Sequence, residues 1–307
     1  MEPDVRTRLL AAVIVALLSA ACGSSTASQS PFINLAERVP LSPEGTGQVA
    51  PLRVAVAAIL SPEGNIESYG ALADYLGLKL DRPVEIVQRR TYQEINDLLE
   101  DGSVDVGFVC TSAYVRGHDE FGLRLLAAPQ IAGETVYHSE LIVRTDSEAE
   151  SIADLRGVVF AFTDPISTTG RVYPTFLVEQ IGETPEAFFD RTFFTYSHEG
   201  AISAVVDEVA DAANVDSLVL DFVLARDPDL PIKVIDRSPA FKIPPAVASP
   251  SLSPRQTAEI EELLLSIAED PAAAQVLAAL GIDRFVAVGD AEYDGVRDLI
   301  YRGGSTP

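Results

Sequence analysis

The chain has 307 residues, is 47% hydrophobic, and carries 46 acidic against 22 basic residues, a formal net charge of -24. That balance argues against a nucleic-acid partner, because phosphate backbones demand basic surfaces, and against charge-driven adsorption to acidic lipid. The length is ample for one large core or for two lobes of ordinary domain size.

The first residues read as an address. Arg6 and Arg8 precede an apolar run over 9–18, and Ser19-Ala20-Ala21-Cys22 follows. This is the order of a secretory signal, and the run is shorter than the roughly 20 apolar residues of a spanning helix. A cysteine directly after small residues predicts a lipoprotein signal peptide, 1–22, with Cys22 as the lipidated first residue of the mature chain. Ser19 stands three before the cysteine, where a large aliphatic residue is usual. Residues 23–50 are rich in Ser, Gly, Thr and Pro and predict a flexible tether. With Cys22 lipidated, Cys110, the second of two cysteines, has no intramolecular partner.

From Arg53 onward strands and helices are expected to alternate. The apolar run 53–59 predicts a parallel strand buried on both faces. Helical spacing follows over 69–78, then a strand at 84–87. Thr91 to Glu94 form a capping box that opens a helix to Glu100. Strands are predicted at 104–109 and 123–128. A second set comprises strands at 139–143, 158–162, 191–196, 212–215 and 232–235, with helices at 170–180, 199–209 and 217–225. Ser253-Pro254 and Asp270-Pro271 each place a cap before a proline, Gly281 closes a helix, and a last helix is expected near 293–301. The βαβ order predicts an α/β fold of two lobes, each a mostly parallel sheet flanked by helices. Lobe 1 is assigned 51–137 and 243–307, and lobe 2 is assigned 138–242. The chain crosses twice, and ligands are expected in the crevice beyond the carboxyl ends of the strands, with hinged closure.

Ser167-Thr168-Thr169 lies between a buried strand and a helix. A helix N-terminus offers unpaired amides and a favourable dipole to an anion, and one Ser or Thr suffices for capping. Three hydroxyls in a row therefore point to an oxyanion site that needs no lysine. His198 and Asp216, each at a strand end, are candidates beside it. Asp216 near an anion makes sense if the ligand carries a proton, since the O–H of a protonated oxyanion needs an acceptor and a fully deprotonated anion would be repelled. Ser61 and the segment Cys110 to Tyr114, read as a loop after a strand, are expected to close over the ligand from the first lobe. Cys110 reads either as a small buried residue or as a soft ligand. Ser167, His198 and Asp216 have the residue types of a hydrolytic triad, but Ser167 is in no Gly-x-Ser-x-Gly elbow. No enzyme, cofactor or metal is expected. The three histidines show no zinc-ligand spacing.

The run Asp164-Pro165-Ile166-Ser167-Thr168-Thr169-Gly170, followed by Tyr173-Pro174, resembles the signature of the phosphate/phosphite/phosphonate-binding proteins of ABC importers. The resemblance extends over about 53–250 and includes Tyr137-His138-Ser139, Ser197-His198-Glu199 and Asp216-Ser217. Thr169 replaces the serine usual at the third hydroxyl, which keeps the donor. The resemblance implies a type II periplasmic-binding-protein fold. It implies that Ser167, Thr168 and Thr169 hold the ligand's oxygens, that His198 donates another hydrogen bond, and that Tyr114 matches an aromatic lining the first-lobe side; Tyr137 joins the candidates through its motif. The expected protein is an extracytoplasmic, lipid-anchored monomer that delivers phosphate, phosphite or a phosphonate to an ABC permease. The alternative is an arsenite or oxyanion sensor, with Cys110 as a ligand, that presents its closed form to a histidine kinase.

Overall fold

The computed structural model describes residues 50–57 and 62–302, the side chains of 62–67 and 302 excepted. The signal segment with Cys22, the tether up to 49 and the candidate Ser61 lie outside these residues.

Strand β1 (Leu52–Val56) is buried along nearly its whole length, as the apolar run requires. It pairs in parallel with β2 (Val84–Gln88) on one side and β3 (Val106–Phe108) on the other. Helix α1 (Pro62–Leu80) connects the first two strands and α2 (Tyr92–Glu100) follows β2. The expected capping box opens α2: the Thr91 hydroxyl accepts from the Glu94 amide at 3.2 Å, and the Glu94 carboxylate accepts from the Thr91 amide at 2.9 Å. The segment after β3, read from sequence as a loop, is instead helix α3 (Thr111–Phe121). Its N-cap, Cys110, makes no side-chain capping bond, so the usual start signal is missing. Strand β4 (Arg124–Gln130) follows.

The chain leaves this sheet through β5 (Val136–Tyr137) and enters a second sheet at β6 (Ser139–Arg144). There β7 (Val159–Phe162) leads into one π-helical turn, Thr168–Val172, and then α4 (Tyr173–Gln180). The expected helix thus begins two residues early, and in a wider turn. Next come α5 (Pro185–Phe188), β8 (Arg191–Phe194), α6 (His198–Val206), β9 (Ala212–Asp216), α7 (Ser217–Arg226) and β10 (Ile232–Arg237). The strand order is β10-β6-β9-β7-β8. Strands β7, β8 and β9 run parallel, with β6 antiparallel between β9 and β10.

The return runs through β11 (Phe241–Lys242), which pairs antiparallel with β5, Phe241 opposite Tyr137. The two crossings are therefore tied side by side in a two-stranded sheet of their own. Strand β12 (Ala246–Ala248) then inserts antiparallel between β3 and β4. Its three residues are wholly buried, too short a run for a pattern to be read. Helices α8 (Pro254–Ser266) and α9 (Ala274–Leu280), strand β13 (Arg284–Val286) and helix α10 (Asp294–Arg302) finish the chain, with β13 on the edge of β4. Ser253 and Asp270 cap as expected, although the second opens a 3-10 turn, Pro271–Ala273, before α9. The six strands of this sheet lie in the order β13-β4-β12-β3-β1-β2.

Each sheet has apolar layers on both faces. On one face of the first, Leu52, Val54 and Leu76 pack with Ile260, Leu264 and Phe285 of the tail; on the other, Ile95, Leu99 and Val115 pack with Tyr293 and Val296. The second sheet buries Ile142, Val205 and Val219 on one side, and Leu141, Phe160 and Phe188 on the other. Removing the cap in Thr91→Ala should lower stability by about 1 kcal/mol, read as a shift of the urea midpoint at unchanged slope.

Candidate functional site

Strand β7 ends at Phe162, and the next residues turn tightly enough to place Thr163 against Gly170. A Cβ on Gly170 would come within 1.9 Å of the Thr163 hydroxyl oxygen, so only glycine fits at this crossing. The loop so formed carries Asp164, Ser167, Thr168 and Thr169, all at most 1% exposed. Ser167 is its own helix cap, accepting from the Gly170 amide at 3.1 Å. Thr169 is held through its carbonyl, which accepts from the Ser139 hydroxyl at 2.7 Å; Ser139 in turn accepts from the Asn214 side chain at 2.8 Å.

The remaining groups of this loop reach across to the first sheet. The Thr168 hydroxyl accepts from the Ser112 amide at 2.9 Å, in the first turn of α3. The Thr168 amide points to the Cys110 sulfur at 3.5 Å, and the Thr168 hydroxyl lies at the same distance from that sulfur. The Ser112 hydroxyl donates to the Ile166 carbonyl. The Asp164 carboxylate accepts from the Tyr92 amide, the first residue of α2, at 3.0 Å, and from the Ile166 amide at 2.9 Å. Two helix N-termini of one sheet are thus completed by side chains belonging to the other. Such termini are where an anion would be held. Farther out, the Arg90 guanidinium lies 3.9 Å from the centre of the Tyr196 ring, another contact between the two halves.

His198 and Asp216 meet behind this loop. The Asp216 amide donates to His198 Nδ1 at 3.0 Å, which leaves the ring proton on Nε2. Burial lowers the His198 pKa to about 3, so the ring is neutral. Asp216 caps α7, accepting from the Leu218 amide at 2.8 Å. Burial raises its pKa to about 7, with Glu140 and Asp221 acting in the same direction.

Two aromatic hydroxyls complete the cluster. Tyr92 and Tyr137 are each 1% exposed; the Tyr92 hydroxyl has no hydrogen-bond partner among the described residues, while the Thr111 and Thr168 hydroxyls approach that of Tyr137. Burial pushes both phenols well above their ordinary value, and Cys110 and Asp216 act on each from nearby; the Thr111 and Thr168 hydroxyls oppose the effect at Tyr137. The structure therefore brings together Ser167, Thr168, Thr169, Cys110, Tyr137, His198 and Asp216. It places Tyr114 elsewhere: its hydroxyl donates to Asp290 at 2.7 Å and its ring meets Tyr293 edge-on. Sequence reasoning missed Tyr92, and touched Ser112, Asp164 and Ser139 only as members of a segment or motif, without a role of their own. For Tyr92 a signal existed, since its capping box marks a helix start at the same strand ends as Cys110. The lysines are engaged away from the site: Lys79 with Asp270, Lys233 with the Ser147 carbonyl, and Lys242 with Glu292 and Thr135.

Comparison with known proteins identifies the group to which this architecture belongs. The family described as "ABC transporter, phosphonate, periplasmic substrate-binding protein" matches residues 54–293. The chain belongs to that family. It is therefore an extracytoplasmic capture component of an importer, and not an enzyme. The phosphate-import protein PhnD of Mycolicibacterium smegmatis is 26% identical over 313 residues, covering 94% of this chain and 93% of that protein. The phosphonates-binding periplasmic protein of Escherichia coli is 29% identical over 173 residues, about half of each chain. A binding-protein component of an ABC phosphonate transporter from Pseudomonas aeruginosa superposes with a TM-score of 0.78 at 22% identity, covering 83% of this chain and 87% of that one. PhnD1 from Prochlorococcus marinus, solved with methylphosphonate, does so at 0.74 and 18%, covering 83% and 98%. The fold is the two-lobed type II periplasmic-binding-protein fold.

The two buried titratable groups pull stability in opposite directions with pH. Asp216 takes up a proton more readily folded than unfolded, so its contribution falls as pH rises from its ordinary value of 3.8 to about 7. His198 resists protonation when folded, so stability is lost as pH falls from 6.5 to about 3. Asp216→Asn keeps an acceptor for the Leu218 amide and removes the charge. The variant should be more stable than the parent at pH 8, with the advantage vanishing towards pH 4, as followed by urea denaturation across that range.

Proposed function

We propose that this binding protein captures phosphate, phosphite or a phosphonate between lobe 1 (51–137 and 243–307) and lobe 2 (138–242). In this reading it is a monomer anchored through lipidated Cys22, and it delivers the anion to the permease of its importer. The observation that carries the reading is the buried hydroxyl of Tyr92, without a hydrogen-bond partner among the described residues, beside the Ser167–Thr169 loop. A buried polar group without a partner costs free energy, and an oxyanion between the lobes would satisfy it. The names of the relatives, a phosphate importer and a methylphosphonate complex, point to the same class of ligand.

Each group then has a role. The Thr168 and Thr169 hydroxyls donate to the oxygens, with the Thr168 hydroxyl oriented by the Ser112 amide it accepts from. Neutral His198 donates from Nε2. Asp216, with a pKa near neutrality, accepts from a P–OH, which sulfate does not carry at neutral pH. The sensor alternative needs a Cys110 thiolate for trivalent arsenic, and burial pushes that thiol up, towards the protonated form. The oxyanion reading is therefore preferred.

Calorimetric titration with phosphate, phosphite, methylphosphonate, aminoethylphosphonate, sulfate and arsenite tests it. One or more of the phosphorus anions should bind, and sulfate should not. Thr168→Ala should weaken binding tenfold or more, the loss of a charged hydrogen bond of roughly 1.5 kcal/mol, while Cys110→Ser changes little. Arsenite binding abolished by Cys110→Ser would overturn the reading. Tyr92→Phe separates ligand contact from structure. It should weaken anion binding about tenfold yet leave the ligand-free protein as stable as the parent or more so, because the hydroxyl it removes has no partner among the described residues.

A further inference from the structure

The anion-binding residues do not fill the space between the lobes. Next to them lies a cavity of about 530 Å3, within the range of sites that enclose small organic ligands, roughly 300–1,000 Å3. Its floor is the carboxyl end of β1 and β3, the strand from which Cys110 and α3 spring, and its walls include Phe108, Leu218, Phe222, Ile243 and Phe285. Asp216 belongs to both places. It bonds to His198 within the anion cluster and also forms part of the cavity wall. Among the described residues, the charged side chains on that wall are Asp216 and Asp221, and none is basic. A second anionic group is thereby disfavoured, and most of the surface offers an occupant nothing but apolar contact.

We propose that the ligand is an organophosphonate with an apolar alkyl or aryl substituent, and that this substituent occupies the cavity beyond Asp216. The proposal rests on the oxyanion reading of the neighbouring cluster. A phosphorus–carbon bond suits the arrangement because it divides one small molecule into two chemistries. The phosphonate oxygens meet hydroxyls and His198, and the carbon chain passes Asp216 into the apolar compartment. Inorganic phosphate carries no carbon substituent to fill this space, and a methyl group is the shortest that could enter it.

The experiment is calorimetry of the full-length protein with phosphate and with methyl-, propyl-, butyl-, phenyl- and 2-aminoethylphosphonate. Affinity should rise from methyl to butyl by about fourfold per added methylene, equivalent to roughly 0.8 kcal/mol, and phenylphosphonate should bind more tightly than methylphosphonate. Phe222 stands at the partly exposed rim, 37% accessible, and takes no part in holding the anion. Phe222→Ser should leave methylphosphonate affinity unchanged and reduce the gain from methyl to butyl. The parent series is decisive even if that variant does not fold. A flat or falling series, with phosphate or methylphosphonate still bound, overturns the apolar subsite and leaves the anion site standing. Tighter binding of the aminoethyl than of the propyl compound overturns it in favour of a cation held by Asp216 and Asp221. Failure of every phosphorus anion to bind overturns both readings together.

Discussion

The first amides of two helices in one lobe are completed by side chains of the other. Asp164 accepts from Tyr92 at the start of α2, and Thr168 accepts from Ser112 at the start of α3. Helix starts leave amides without intrahelical partners, and a buried amide must find one. The facing loop meets this need while the lobes are together. Its shape in turn depends on the Gly170–Thr163 crossing and on the hold of Ser139 and Asn214 upon Thr169. Each of these amides is thereby satisfied from across the cleft and not from its own helix. The antiparallel pairing of β5 with β11 keeps the two crossings adjacent, which suits a hinge.

Recognition of an anion by a chain of net charge -24 has to be local. Charges at the surface are screened beyond about 8 Å at physiological salt, whereas hydrogen bonds inside a buried cluster act at low dielectric and at full strength. The same burial that strengthens these bonds keeps His198 neutral and brings Asp216 close to its titration point. A cluster of hydroxyls, amides and a neutral imidazole avoids the cost of desolvating an ammonium or guanidinium group, in keeping with lysines that are engaged elsewhere.

The legible parts of the fold were those with local causes. The capping box at Thr91, the caps at Ser253 and Asp270, the closing glycine at 281 and the buried strands of both sheets follow from neighbouring residues. Helix α3 escaped because its cap, Cys110, makes no side-chain bond and its first turn is completed from another lobe. Strands β12 and β13 escaped because three residues show no period, and their pairing with β3 and β4 depends on chain more than a hundred residues away.

The sequence by itself determined that the chain builds two α/β layers and that three hydroxyls stand at a helix start, because strand burial, turns and caps are set by interactions a few residues long. Only the tertiary structure decided what those hydroxyls face. It turned Tyr92 and Tyr137 towards Cys110, took Tyr114 away to Asp290, and put Asp216 between a polar cluster and an apolar cavity. These placements join residues from 18 to 176 positions apart, such as Asp216 with His198 across the sheet and Tyr114 with the C-terminal turn. No pattern along the chain encodes them, since they follow from which faces the two sheets present to one another once both are packed.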